Sequence, residues 1–412
     1  MNEKMDTNQL LQDTLQPVET DDGKALIPSK KCQGEGGTSS FSSASFNFIN
    51  SIIGSGIIGL PYSMKQAGFP LGILLLFGVA FITDYSIILL IKGGNISGTW
   101  TYQSLVNRAF GLTGYVILSV LQFLYPFIAM ISYNIVAGDT LTKVFLRIPG
   151  VGPDSLLAER HFVILLTSIL FTLPLSLYRD ISKLGKVSLL SLVLTLGILV
   201  IVIIRTATLG PQIPATDDAW TFAQPNAIQA IGVMSFGDIF ENYCKNDNLA
   251  TAGRFCYGIS IFLTFPIECF VTREVISNMF FNGTLTTLAH VLLTVAIMAV
   301  STVISLAFDC LGVVLELNGV LSATPLVFII PTACYLKLSD ERWYHGDSLI
   351  SCLILIAGVF VMIAGLVMTI LYPQECSHGK EMFYCLSSNS SATNITISSN
   401  LIETPNWNAT IV

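Results

Sequence analysis

Residues 47–61 read Asn47-Phe-Ile-Asn50-Ser-Ile-Ile-Gly54-Ser55-Gly56-Ile-Ile-Gly59-Leu-Pro61. Apolar residues surround this stretch, but its middle contains asparagine and glycine, which are unfavourable inside a helix. We therefore predict a membrane helix that is interrupted here. Backbone groups at such an interruption survive at membrane depth only inside protein or beside a polar cavity, where they can bind an ion or the charged ends of a small molecule.

Two interpretations of this interruption stay open. Gly54 and Gly56 are also typical of a kink or of a close crossing between two helices. Asn50 favours the ion-binding interpretation, because it places an uncharged oxygen ligand directly before the interruption.

Composition identifies an all-α polytopic membrane protein. Of the 412 residues, 52% are hydrophobic and only 11% are charged, against about 25% charged residues in ordinary globular domains. The net charge is −7 and the sequence contains no basic patch, so no nucleic-acid partner is indicated. Because a span needs about 20 apolar residues, we predict nine transmembrane helices, near residues 44–64, 69–91, 114–146, 161–178, 184–205, 252–272, 285–308, 312–336 and 348–372.

The distribution of Lys and Arg predicts a cytosolic N-terminus. The three resulting parts are a disordered cytosolic tail (1–42), a transmembrane domain (43–372) and an outer or lumenal tail (373–412). Three glycosylation acceptors in the last part, Asn389, Asn394 and Asn408, agree with this orientation. In the same tail Cys376 and Cys385 are placed to form a disulfide. Plasma membrane and lysosome both fit, and a monomer in the lipid bilayer is expected.

One apolar segment, residues 225–236, is too short to cross. A dozen residues at about 1.5 Å each reach roughly 18 Å, less than the roughly 30 Å of the hydrocarbon core. It is either a re-entrant half-helix or an outer loop, and in both cases its two ends lie on the same side of the membrane.

Three stretches resemble one family. The first is Asn50-Ser-Ile-Ile-Gly-Ser-Gly-Ile-Ile-Gly-Leu-Pro-Tyr-Ser-Met-Lys-Gln-Ala-Gly. The second runs from Ser104-Leu-Val through Tyr133-Asn-Ile-Val-Ala-Gly-Asp-Thr, and the third is Leu311-Gly-Val-Val-Leu-Glu-Leu-Asn-Gly. Together they resemble the sodium-coupled neutral amino acid transporters, a branch of the amino acid and auxin permease group. The resemblance covers nearly everything from about residue 44 to 372.

The resemblance implies a LeuT-type fold, in which two inverted five-helix repeats surround a substrate bound where helices one and six are broken. It also implies that sodium, as the coupling ion, is bound by Asn50 and Thr264, and that Arg273 matches the arginine that ends helix eight. No other cofactor is expected. The backbone carbonyl of Ile53 would complete the ion shell, and the amides of Gly54, Ser55 and Gly56 would bind the substrate carboxylate.

The chain departs from the family pattern after Phe236. The segment Gln229-Ala-Ile-Gly-Val-Met-Ser-Phe236 starts like helix six, but the next residues resemble the outer loop before helix eight. About half of helix six and all of helix seven are therefore predicted to be missing around 236–237, leaving the second repeat incomplete. We expect a splice-type or mis-predicted form in which transport is impaired.

Glu268 follows Thr264 by four residues, so both side chains lie on one helix face. An intramembrane carboxyl indicates ion or proton coupling; a hydrogen-bonded structural role is the equal alternative. The predicted function is sodium-coupled transport of a neutral or polar amino acid, with proton antiport as an option, and no catalytic constellation of an enzyme is visible. The competing hypothesis is a non-transporting amino acid sensor or regulatory membrane protein.

Overall fold

The computed structural model describes residues 41–53, 64, 67–209, 243–244, 246–281, 283–308, 311–339 and 346–371. Helices are the regular structure found throughout these ranges, and no strand occurs among them. The main helices are α1 (Phe41–Ile53), α2 (Phe69–Ser97), α3 (Tyr102–Phe145), α4 (Arg160–Ser176), α5 (Gly185–Leu209), α6 (Asn248–Phe280), α7 (Thr287–Ala307), α8 (Leu311–Leu338) and α9 (Gly346–Leu371).

Seven of these helices, α2, α3 and α5–α9, are long and apolar enough to cross a membrane. The other two are shorter: α1 has 13 described residues, and α4 is an apolar helix of the 10–17 residue class. Each predicted span therefore overlaps a described helix, the first of them only over residues 44–53, and the chain is a polytopic membrane protein. The count of nine spans and the inverted-repeat fold stay predictions.

Helix α3 consists of two parts. Gly111 has a φ of +67°, which interrupts the helical backbone at a residue without a side chain. The first part begins with a capping box in which Thr101 accepts from the backbone N–H of Ser104. The second part, from Gly111 to Phe145, matches the span predicted at 114–146.

Helices α4 and α8 contain π-helical turns. They lie at Ser168–Thr172 in α4 and at Gly319–Ala323 and Pro325–Ile329 in α8. Pro325 has no N–H to donate to the preceding turn, so it loosens the regular hydrogen-bond ladder there. The Gly319 carbonyl accepts from both the backbone N–H and the hydroxyl of Thr324, the latter at 2.9 Å.

Helix α6 occupies the centre of the bundle. In its most apolar stretch 67% of the residues are buried, whereas the corresponding value for α2 is 11%. A core of α3 and α6 side chains surrounds this centre, with Tyr133, Leu141, Phe262 and Phe265 among its buried members. Residues on α6 are therefore screened from lipid on most sides, which suits a polar site.

Ion pairs connect helix ends that lie on the same side. Arg205, near the end of α5, pairs with Asp247, whose carboxylate caps the start of α6. Lys92, near the end of α2, pairs with Asp347 at the start of α9. The first pair places both ends of the segment between α5 and α6 on one side of the bundle, as the sequence analysis expects; the proposed junction at 236–237 lies outside the described residues.

Candidate functional site

Helix α1 presents its polar side to the protein. Its buried residues are Asn47 and Asn50, whereas Phe48 and Ile52 are 69% and 66% exposed. This reverses the pattern of a water-soluble helix, because the outward surface of a membrane helix contacts lipid. The Asn47 amide donates to the Ile181 carbonyl at 2.8 Å and fixes the rotation of α1. Asn50, one turn later, therefore points into the bundle.

Asn50 and Thr264 meet inside the bundle. Thr264 Oγ1 lies 3.2 Å from Asn50 Oδ1, and the two residues are only 3% and 2% exposed. They are 214 positions apart in the chain. The two residues that are predicted to bind sodium are thus in contact. Among the described residues, no acceptor lies within hydrogen-bonding distance of Asn50 Nδ2, which is also buried.

Helix α5 adds three hydroxyl-bearing residues that the sequence analysis did not select. Ser188, Ser191 and Thr195 are all buried in a helix of mean hydropathy 3.0. Their spacing of three and four residues places them on one helix face. That polar stripe in an apolar helix was the available signal, but only the structure shows what it faces.

Ser191 faces Thr264 and Ser260 on α6. Its Oγ lies 2.7 Å from Ser260 Oγ and 3.3 Å from Thr264 Oγ1. Thr195 Oγ1 lies 3.3 Å from Ser260 Oγ. Beside this cluster is a cavity of about 10 Å³, lined by Tyr133, Thr195, Ile198, Tyr257, Ser260, Ile261 and Thr264, which is about the space of one water molecule.

The two charged residues selected on α6 have different surroundings. Glu268 is 6% exposed and lies one turn beyond Thr264. Arg273 is 3% exposed and donates to the Ser176 carbonyl at 2.9 Å and the Tyr178 carbonyl at 3.2 Å. A cation here satisfies the free carbonyls at the end of α4. Arg273 therefore has a structural role, whereas Glu268 stays a coupling candidate.

A further buried carboxyl group, missed by the sequence analysis, is that of Glu316 on α8. It is 0% exposed and lies two residues before Asn318, whose Oδ1 accepts from the Ser322 hydroxyl at 2.6 Å. The signal was a single acidic residue in an apolar span, which is a functional candidate by default.

The structure does not test the roles of the remaining predicted site residues. Ile53 is the last described residue of α1, and its carbonyl has no assigned ligand here. The other positions lie outside the described residues: Gly54, Ser55, Gly56, Cys376, Cys385, Asn389, Asn394 and Asn408. Cys244 takes part in a disulfide, whereas the other described cysteines, Cys256, Cys269, Cys334 and Cys352, are free.

A bundle of apolar helices around a buried polar centre is the architecture of a membrane transporter. The family model of the transmembrane amino acid transporter proteins matches this chain over residues 37–237 and 237–371. The chain belongs to that family, whose members are transporters and not enzymes.

Individual relatives resemble the chain over most of its length. A zebrafish (Danio rerio) protein named "Putative sodium-coupled neutral amino acid transporter 11" is 61% identical to this chain. The alignment covers 90% of this chain and 95% of the zebrafish protein. The bovine (Bos taurus) protein of the same name is 57% identical, with coverages of 92% and 93%. Vacuolar amino acid transporter 2 of Saccharomyces cerevisiae is 25% identical, with coverages of 83% and 85%.

Proposed function

We propose that the helices of this chain form the sodium-binding half of a secondary transporter for a neutral or polar amino acid. The observation that supports this proposal is the buried contact between Asn50 Oδ1 and Thr264 Oγ1, at 3.2 Å. Uncharged oxygens suit a monovalent cation as ligands. Because these two oxygens come from different helices, an ion bound between them would change how the helices pack. The names of the relatives supply the substrate class.

In this proposal the ion and the substrate share α1. Asn50 and the Ile53 carbonyl bind sodium, and the amides of Gly54, Ser55 and Gly56 bind the substrate carboxylate at a half-helix N-terminus. The buried Nδ2 of Asn50 is a donor without a described acceptor. An anionic group bound next to it would satisfy that donor, which otherwise costs about 1–3 kcal/mol. Glu268 is the residue proposed for proton coupling.

We also propose that an internal segment is missing from this chain. The alignment with the zebrafish relative spans 425 positions, but 90% of 412 residues is only about 371, so about 54 positions lack a residue here. The bovine alignment, with 432 positions and 92% coverage, gives about 53. The family match divides at residue 237, next to Phe236. About 54 residues are enough for half a helix, one complete span and their connections.

The missing segment would remove the second half of the substrate site but not the ion site. Asn50, Ser191 and Thr264 lie on α1, α5 and α6, which are all present. We therefore propose a chain that binds sodium and transports amino acids poorly. The disulfide at Cys244 supports placing the start of α6 on the outer side, because disulfides persist in oxidising compartments. With that orientation the N-terminus is cytosolic.

The ion-site assignment is tested in a version of the chain in which the missing segment is restored from the zebrafish relative. Asn50→Ala and Thr264→Ala should each abolish sodium-stimulated uptake of radiolabelled neutral amino acids. Thr272→Ala is the matched control, because Thr272 is equally buried on α6 and its hydroxyl donates to the Glu268 carbonyl at 2.8 Å, away from Asn50. Unchanged sodium dependence in both site variants would refute the assignment.

A further inference from the structure

The hydroxyl protons around Ser260 can all be assigned to acceptors. Thr264 donates to the Ser260 carbonyl at 2.9 Å, and Thr195 donates to the Ser191 carbonyl at 2.9 Å. In the shortest hydroxyl contact, 2.7 Å between Ser191 Oγ and Ser260 Oγ, either oxygen can donate, and we assign the donated proton to Ser191. The Ser260 proton then points to Thr195 Oγ1 at 3.3 Å. Each hydroxyl has one proton, so none is left over.

Thr264 Oγ1 is within donating distance of both Asn50 Oδ1 and the Ser260 carbonyl, and we assign its single proton to the shorter contact, the carbonyl. With this assignment three oxygens face one another without a proton between them. Asn50 Oδ1 and Thr264 Oγ1 are 3.2 Å apart, and Thr264 Oγ1 and Ser191 Oγ are 3.3 Å apart. Lone pairs that face each other in a buried site repel, so this arrangement is stabilised by a bound cation. A hard cation is the appropriate ligand, because all three atoms are oxygens.

The spacing also suits a shared ion. Cations that bind oxygen at roughly 2.3–2.6 Å have neighbouring ligands, at right angles, roughly 3.3–3.7 Å apart. The distances of 3.2 Å and 3.3 Å are close to that range, whereas the 2.7 Å between Ser191 and Ser260 is that of a hydrogen bond. The two kinds of contact therefore have different roles.

We infer that Ser191 is a third sodium ligand, contributed by α5, and that Ser260 is a positioning residue that accepts the Ser191 proton and turns its lone pairs toward the ion. This inference rests on the proposed function, because it adds α5 to the site formed by α1 and α6. The site then joins three helices, so that a bound ion stabilises their mutual packing. None of the three ligands lies in the missing segment, and the site is complete in this chain.

The test is equilibrium binding of ²²Na⁺ to the purified 412-residue chain, measured by scintillation proximity. Ser191→Ala should raise the Kd about tenfold, because it removes one neutral ligand from a cation. Ser260→Ala should raise it about threefold, and Ser260→Thr, which keeps the hydroxyl, should restore binding. If Ser191→Ala is not monodisperse, Ser191→Cys replaces it, since a thiol keeps the volume and is a poor ligand for a hard cation.

The matched control is Ser188→Ala, one turn earlier on α5. Its hydroxyl is equally buried but donates to Asn47 Oδ1 at 2.6 Å, outside the ion site. Sodium affinity should stay within about twofold of wild type in this variant. Unchanged affinity in Ser191→Ala, with loss in Asn50→Ala, would overturn the inference and leave the proposed function intact. Absence of sodium binding by the wild-type chain would overturn both.

Discussion

Asn50 combines two chemical functions in one buried amide group. Its Oδ1 faces Thr264 Oγ1 at 3.2 Å, and its Nδ2 is buried without an acceptor among the described residues. An unsatisfied donor is costly in a protein interior, so a ligand that accepts a hydrogen bond from Nδ2 would stabilise the site. The amide could therefore contact the cation through oxygen and an anionic substrate group through nitrogen. Only the amides of Asn and Gln place a neutral oxygen acceptor and a nitrogen donor on separate atoms of one planar group.

Arg273 illustrates a residue whose role is structural. Its guanidinium group donates to the carbonyls of Ser176 and Tyr178 and to the Thr294 hydroxyl at 3.0 Å, and it stacks over the ring of Phe270. These bonds hold the end of α4 against α6 and α7. The planar guanidinium group reaches these three acceptors from two separate nitrogens, whereas a lysine presents its N–H donors at one point.

Replacing Arg273 should therefore lower stability. Arg273→Ala removes the donor of two buried acceptors and one partly buried acceptor. We expect a loss of about 2 kcal/mol or more, seen as a clear drop in melting temperature in detergent. Arg273→Lys should be intermediate. Arg179→Ala is the control, because Arg179 donates to the Leu285 carbonyl at an exposed position. Equal melting temperatures for the Arg273 and Arg179 variants would contradict this role.

At the scale of helices, glycine sets how closely α3 and α4 pack. A Cβ at Gly138 would lie 2.5 Å from Ile164 Cγ1, which is too close for any real contact. Small residues allow membrane helices to approach each other in this way. By contrast, no atom lies within 4 Å of a Cβ at Gly197 on α5.

These two glycines form a matched pair of substitutions. Gly138→Ala should destabilise the protein by about 1–3 kcal/mol, because the added methyl group forces Ile164 to move. Gly197→Ala should be neutral or stabilise by up to about 1 kcal/mol, through helix propensity alone. Thermal unfolding of both variants in the same detergent measures the difference. A Gly138→Ala variant as stable as wild type would show that the crossing is looser than the structure indicates.

Helix positions followed well from the sequence, but helix lengths did not. Apolar length predicted a span at 252–272, whereas α6 extends over Asn248–Phe280, because hydropathy detects the part in lipid and not the polar turns beyond it. The first part of α3, before Gly111, was missed for the same reason. Of the residues at the site, Asn50 and Thr264 were predicted through a family motif, but Ser191 was not. The contact of Ser191 with Ser260 spans 69 positions in the chain and depends on how the helices pack.

For the whole molecule, the arrangement of helix ends agrees with an internal loss that keeps the topology. Arg147, after α3, donates to Asn246 Oδ1 at 3.0 Å, and Arg205 pairs with Asp247. These contacts bring the ends of α3 and α5 and the start of α6 to one side. The removal that we propose, of one and a half helices between α5 and α6 with both flanks on that side, would leave the downstream helices correctly oriented. It would remove the partner of α1 in the proposed substrate site.

The central claim is that this chain has a complete ion site and an incomplete transport pathway. The most direct measurement is radiolabelled neutral amino acid uptake by the 412-residue chain and by the version with the missing segment restored, each normalised to its amount at the cell surface. We predict sodium-dependent uptake by the restored version and uptake near background by the 412-residue chain. Robust sodium-dependent uptake by the 412-residue chain would contradict the account.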